Sequence, residues 1–504
     1  MSLLIKGVQI VDGKGGEPYK ADVFVQRNII SAIGDLKHKK TDEIIDGLGS
    51  YLTPGFIDID TDSDHYLHLF TNPAQGDFVA QGVTTIIGGH CGLSLAPLLY
   101  GTLESLAGWA DTNKVNVNWH TVREFLDSLH KVPLGVNFGT LVGHRTVRDA
   151  LTRGEYRELT DKEFGVFENI ILRAMEDGAF GFSTGLGYVH GQYAREKEIK
   201  RLVGVLSKTG GIYATHLRSQ TGELMRSVEE TVRVANYTEV KTLISHLRPL
   251  VGYEEQFESS LEYIKENTPA GRLYFDIYPH DTSIYPIYAL LPRWVQLESA
   301  EAMLEELRNP DAIARIKKDF ALVSGKLGAV QISSAPRNGY LVGRTVEQAA
   351  KDSDTSIPDT VIAIMNMTNL KATVFLKDIN FEILIKALTH ERAFIASNGN
   401  SPAQGEFLKH ERSTNTFPKF LKLVLERKLM TLPQAIKKIT HDPARYFDIR
   451  DRGTVEEGKI ADLVLLGRDD YKIKEIVVGG KLSPALGKDG NYGVVRGEVL
   501  SRKS

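Results

Sequence analysis

Residues 210–246 read GGIYATHLRSQTGELMRSVEETVRVANYTEVKTLISH. Two short apolar runs, GGIYATH (210–216) and KTLISH (241–246), flank a stretch whose apolar residues recur at helical spacing, TGELMRSVEETVRVAN. This is strand, helix, strand, the unit that parallel strands need to cross over. Both strands end in histidine, His216 and His246.

The unit repeats on either side. YLTPGFIDID (51–60), GVTTIIGG (82–89), LGVNFGTLVGH (134–144) and GAFGFSTG (178–185) precede it; RLYFDIYP (272–279) and RAFIASN (392–398) follow. Eight such strands alternating with helices predict an α/β chain whose centre is a (β/α)8 TIM-like barrel. No glycine-rich dinucleotide fingerprint follows any strand, which argues against an open doubly wound sheet. About 110 residues separate the seventh and eighth runs, too many for one crossover, so an insertion is expected at about 285–390. A lid over the barrel mouth and a solvated decoration are both open readings.

The two ends have a different texture. LLIKGVQIVDG, ADVFVQRNIISAIGD and DEIIDGLGSYLTPG at the start, and KIADLVLLG, YKIKEIVVGGKLS and VVRGEVLS at the end, are β-rich with Gly and Asp turns. They predict one small β-sandwich domain built from both termini, 1–53 plus 450–504, around a barrel over 54–449.

Composition narrows the function. In 504 residues, 61 Lys and Arg against 64 Asp and Glu leave a net charge of -3. No strong positive field is available for nucleic acid or an anionic membrane, so the expected partner is a small molecule. One cysteine, Cys91, excludes intramolecular disulfides and fits a reducing, cytoplasmic compartment. No basic segment followed by a long apolar run opens the chain, and no stretch of about 18 apolar residues suggests a membrane span.

Barrel enzymes carry their chemistry at the C-terminal ends of the strands. Those ends supply an alternating acidic run (Asp58, Asp60, Asp62, Asp64), His90-Cys91, His144, Ser183-Thr184, His216, His246, Asp276 with Tyr278, and Asn398. A lone cysteine is ordinarily a small buried apolar residue, and a strand-end histidine is often satisfied by backbone. A thiol and two imidazoles from three strand ends would nonetheless suit zinc, with a fourth position open for chemistry.

Longer blocks carry a family pattern. PGFID (54–58), QGVTTIIGGHCGLSLAPL (81–98), LVGHRTVRDA (141–150), GAFGFSTGLGY (178–188), YATHLRSQ (213–220), ISHLRPL (244–250) and DIYPHDTS (276–283) are among them. With them the chain resembles the D-aminoacylase (N-acyl-D-amino-acid deacylase) branch of the amidohydrolase superfamily over nearly its whole length. The resemblance implies a barrel with a small β domain and amide hydrolysis. It also implies zinc on Cys91, His216 and His246, and a substrate carboxylate held by Arg248, Tyr278 and Arg412. A fork of N–H donors suits a carboxylate.

The departures fall at the reaction centre. Where the family's first strand usually ends in His-x-His, a ligand pair for a second metal, this chain has Asp60 and Asp62. Where the eighth strand usually ends Ser-Asp-Gly, it reads Ser397-Asn398-Gly399. An amide cannot relay a proton near neutral pH, so Asn398 keeps the shape but not the base. Three readings follow: a hydrolase with a rearranged site, a non-hydrolytic zinc enzyme (cyclisation, isomerisation or elimination) on a similar carboxylate, or an inactive ligand-binding homologue. In the first, Asp60 or Asp62 becomes the base or holds a second divalent ion, with Asp64 and His144 as further candidates. His144 is then expected to donate to the developing oxyanion.

Overall fold

The computed structural model describes residues 2–483 and 496–502, apart from 102, 104–109, 189–190, 192, 297–298, 323, 404 and 406. Strands β1 (Ser2–Ile10), β2 (Tyr19–Gln26) and β3 (Ile29–Gly34) form an antiparallel meander. Two more, β4 (Glu43–Asp46) and β5 (Tyr51–Pro54), both run parallel to β1, the first beside residues 3–6 and the second beside Gln9 and Ile10. A bulge between Ile5 and Val8 lets one strand serve two neighbours. Gly7 sits in it at φ +64, where a Cβ would be strained, and the Asp22 carboxylate accepts its N–H at 2.8 Å.

The barrel strands follow. They are β6 (Phe56–Asp58), β7 (Val83–Gly88), a third strand in two pieces, β8 (Asn137–Thr140) and β9 (Val142–Gly143), then β10 (Gly181–Gly185), β11 (Ile212–His216), β12 (Lys241–Ile244) and β13 (Leu273–Ile277). All pair in parallel with their neighbours. They are buried almost without interruption, as a parallel sheet covered by helices must be. Ile57, Ile87, Leu141, Ala214, Leu243 and Phe394 share the apolar core of the barrel.

Residues 280–381 and 404–411 form a compact unit of their own, so the insertion starts earlier and ends sooner than the spacing suggested, and a short return segment joins it. Its antiparallel sheet has β14 (Ser283–Pro286) and β15 (Gln331–Ser334) on either side of β16 (Thr373–Leu376). Ile287, Leu291, Phe320, Val346 and Met365 belong to its separate core.

The eighth barrel strand, β17 (Ala393–Ile395), pairs with β13. Beyond it the backbone closes the ring onto β6: Asn398 N–H donates to the Asp60 carbonyl at 2.9 Å and Asp62 N–H to the Gly399 carbonyl at 2.7 Å. The Asp58 carboxylate, buried at the seam, accepts the Ser397 N–H at 3.0 Å. The ring therefore closes where the Asp60–Asp62 run meets Ser397-Asn398-Gly399.

At the C-terminal side β18 (Leu463–Leu466), β19 (Ile473–Val478) and β20 (Lys481–Ser483) extend the first sheet into the order β20-β19-β18-β5-β1-β2-β3, with β4 on β1. Ile30 N–H donates to the Lys459 carbonyl at 2.9 Å, tying the far strand back to the chain that leads into β18. Leu3, Val23, Ile30, Leu52, Leu463 and Val477 thus share one core between the folded halves. The tail behaves differently from the 450–504 expectation. Residues 497–500 lie along β8, with Phe138 N–H donating to the Glu498 carbonyl at 2.9 Å and Leu500 N–H to the Phe138 carbonyl at 2.7 Å. Strand β10 pairs with the third strand at Val142 and Gly143, and Phe180 N–H before it reaches the Thr140 carbonyl at 2.9 Å, so the earlier backbone of β8 needs another partner, and the tail supplies it. Among the described residues, no helix is long and apolar enough to cross a membrane.

Candidate active site

The Gly88-Gly89-His90-Cys91-Gly92 turn after β7 explains how a cysteine reaches the barrel mouth. A Cβ at Gly89 would lie 2.3 Å from the Leu141 carbonyl oxygen, and one at Gly92 would lie 2.8 Å from the Gly185 nitrogen. Only glycines allow so tight a turn against the neighbouring strands. Cys91 (φ +52), His246 (φ +41) and Asn398 (φ +47) all adopt the left-handed region that side chains avoid. Such strain costs about 1–3 kcal/mol per residue and tends to mark functional positions.

The strand ends bring three donors together. Cys91 Sγ lies 3.4 Å from His246 Nε2 and 3.8 Å from His216 Nδ1, and the two nitrogens are 3.1 Å apart. Metal bonds of about 2.0–2.3 Å at tetrahedral angles place such donors roughly 3.3–3.6 Å apart, so the set fits one zinc-like ion. Burial pushes His216 down to about 4 and His246 well below its ordinary value, with the neighbouring Arg248 acting the same way. Both rings are neutral and offer lone pairs. Burial, then the Asp60, Asp62 and Asp276 carboxylates, raise the Cys91 thiol well above its ordinary value, so ion binding would release its proton. The Gln220 amide 3.1 Å from His246 Nδ1, and the Asp276 carboxylate accepting the His246 N–H at 2.8 Å, orient this ligand from behind.

The two aspartates of DIDTD have different surroundings. Asp60 is fully buried, its Oδ1 3.5 Å from Asn398 Nδ2 and 3.7 Å from His90 Nδ1. Its Oδ2 has no hydrogen-bond donor among the described residues, and neither has Asp276 Oδ2. Burial, followed by the Asp62 charge, lifts Asp60 to about 7; burial and Asp60 raise Asp276 well above the carboxylate range. Asp62 instead lies between two cationic groups, with His65 Nδ1 3.1 Å from one oxygen and Arg412 Nη2 3.8 Å from the other. Asp64 accepts the Gly89 N–H at 2.7 Å, a structural contact under the turn.

Arg412, with 9% of its surface exposed, is held inside rather than on the solvated face, and its guanidinium sits 5.7 Å from the Tyr278 ring centre. Arg248 Nη1 donates to the Tyr278 hydroxyl at 3.0 Å. The two guanidiniums flank one phenol, a geometry suited to a carboxylate.

His144 is elsewhere. It begins the helix His144–Thr152; its Nε2 lies 2.8 Å from Glu198 and its ring stacks 5.7 Å from Phe167. It belongs to the outer helical layer and is corrected from oxyanion donor to packing residue. Two residues not singled out from the sequence join the site: Gln220 and Tyr188, whose ring is 4.7 Å from that of His216. Asp276, read from the sequence as a strand-end acid beside Tyr278, lies behind His246 and accepts its backbone N–H.

Comparison with known proteins points the same way. Residues 294–499 match the amidohydrolase family. An N-acyl-D-aspartate deacylase of Alcaligenes xylosoxydans xylosoxydans is 29% identical over 471 residues, 92% of this chain and 85% of that protein. A D-aminoacylase crystal structure superposes with TM-score 0.79 at 25% identity, covering 99% of both chains. An N-acyl-D-glutamate deacylase from Bordetella bronchiseptica, complexed with zinc and a phosphonate mimic of the tetrahedral intermediate, superposes equally well, with TM-score 0.79 at 23% identity and 99% of both chains covered.

Proposed function

We propose that the chain belongs to the D-aminoacylase branch of the amidohydrolases and is a metal-dependent hydrolase of the amide C–N bond of an N-acyl amino acid. Cys91, His216 and His246 hold the ion, taken here as a single zinc, in a cytoplasmic enzyme. A divalent ion there supplies Lewis acidity to the scissile carbonyl. Arg248, Tyr278 and Arg412 receive the substrate carboxylate and so fix the amide relative to the strand ends. Asp60 takes the proton of the attacking water and returns it to the leaving nitrogen.

The observation that carries this reading is the position of Asp60. Asn398 lacks the carboxylate expected at its strand end, yet a carboxylate lies 3.5 Å from its amide, across the seam that closes the barrel. The base is moved from the eighth strand to the first. Its value of about 7 suits transfer in both directions. Asp62, paired with two cations, is the poorer base.

The test is amine release from a panel of N-acetyl D- and L-amino acids by zinc-loaded protein. Asp60→Asn should lower kcat by roughly 10²–10⁴, while Asp62→Asn should chiefly raise KM. Equal activity of Asp60→Asn and the parent would overturn the assignment of the base. An ascending pH limb should accompany the parent activity, since protonated Asp60 cannot accept the water proton, and it should lie below the ion-free value of about 7 because a bound cation favours the carboxylate.

A further inference from the structure

The residues around Asp62 answer a question raised by the loss of His-x-His: what balances the charge where a second metal's ligands would stand. His65 is 2% exposed. Its Nε2 lies 3.2 Å from the Leu93 carbonyl oxygen and its Nδ1 3.1 Å from Asp62 Oδ1. A carbonyl oxygen and an ionised carboxylate only accept, so both ring nitrogens must donate. The ring is then an imidazolium. Asp64 Oδ1, 3.9 Å from Nε2, adds a second carboxylate at the other ring nitrogen. Arg412 Nη2 stands 3.8 Å from the other oxygen of Asp62.

We propose that the buried imidazolium of His65, together with Arg412, takes the electrostatic place of a second metal ion, so that the pocket admits a single divalent cation, on Cys91, His216 and His246. The proposal rests on the reading that this cluster holds the resident ion. A further divalent cation seated on Asp62 would lie beside two fixed positive charges in a largely buried site, where repulsion is less screened than in water. The two oxygens of Asp62 already face the imidazolium at 3.1 Å and the guanidinium at 3.8 Å. The burial of His65 opposes its charge, but Asp64, Asp62 and the Leu93 carbonyl outweigh it and hold the ring at about 9. The replacement of imidazole by carboxylate at position 62 and the cationic state of His65 are thus one change seen twice. A neutral metal-binding ring gives way to a fixed internal ion pair.

Metal stoichiometry tests this apart from turnover. Holoprotein dialysed against excess zinc, then against buffer, should retain one equivalent per chain by elemental analysis. His65→Asn, which removes the cation and leaves Asp62 open, should retain a second equivalent, bound more weakly. Two equivalents on the parent, or one on a folded His65→Asn variant, would overturn the proposal. A second measurement covers a variant that does not fold. In holoprotein labelled with ¹⁵N-histidine, one ring should keep both nitrogens protonated at about pH 8, where an unperturbed histidine of pKa about 6.5 is neutral. Absence of any imidazolium signal at that pH would also overturn it. Loss of the first equivalent in Cys91→Ala is a separate outcome that bears on the hydrolase reading, not on His65.

Discussion

Two sides of the barrel mouth behave differently. The side built by β7, β11 and β12 keeps a thiol and two imidazoles within ligand distance, Cys91 and His246 buried and His216 half-buried, all uncharged without an ion. The side built by β6 and β17 carries carboxylates, an amide and an imidazolium, whose charges are balanced by one another. The first side needs a cation from outside to use its lone pairs; the second has cations of its own. In the proposed function, such a split gives Lewis acidity to one half of the pocket and proton transfer to the other.

Removing a donor from the first side is the harshest way to break that division. Cys91→Ala should abolish retention of zinc and lower kcat by at least about 10³. Elemental analysis and amine release on the same preparation check it. A variant that lost its metal but kept its turnover would show that the carboxylate half works alone.

Exchange across the second side should be the next largest effect. Asn398→Asp places a second carboxylate about 3.5 Å from Asp60. Like charges at that distance keep a proton between them, so the single variant should lose about 10-fold in kcat near neutral pH rather than gain. Asp60→His combined with Asn398→Asp returns imidazole to the first strand and carboxylate to the eighth, and should recover most of that loss. A gain from Asn398→Asp alone would mean that Asp60 is not the base.

The contrast also sets what was legible in the sequence. Parallel strands buried on both faces appear as apolar runs between turns, so all eight barrel strands were visible, and with them the ends that place Cys91, His216 and His246. The division of labour between Asp60 and Asp62 was not. It depends on Asn398 and Arg412, more than 330 residues away, and on which oxygen faces which partner. His144 failed by one position: the strand ends at Gly143, so the next side chain belongs to the helix and points into the outer layer. The tail along β8 was hidden because a single isolated bridge needs no hydrophobic pattern.

Arg248 sharpens the comparison from the substrate side. Its guanidinium contacts Tyr278 and lies 3.4 Å from Gln220, which itself touches His246, so it links the carboxylate pocket to the ligand side. Arg248→Met should raise KM by about 10–100-fold, the loss of one charge-assisted hydrogen bond, with a smaller change in kcat. Steady-state kinetics on the best substrate of the panel decide it. A pure kcat effect would place Arg248 with the chemistry instead.

The smallest expected effect is on stability, and its sign follows from linkage. Asp60 has a folded value of about 7, above the ordinary carboxylate value of about 3.9 in an unfolded chain. Below the lower value both states are protonated and the group is neutral to folding. Between the two, the unfolded state ionises freely while the native state resists, so Asp60 increasingly destabilises the fold as pH rises, fully above about 7. Asp60→Asn removes that cost. Its unfolding free energy in urea should match the parent's near pH 3 and exceed it at pH 8 by on the order of 1–2 kcal/mol, because the proton is shared with Asp276. The measurement should be made on metal-free protein, since ion binding stabilises the native state separately. A pH-independent difference would mean that Asp60 is ionised throughout and that the acidic half of the pocket holds its charge by contacts other than those seen at the seam.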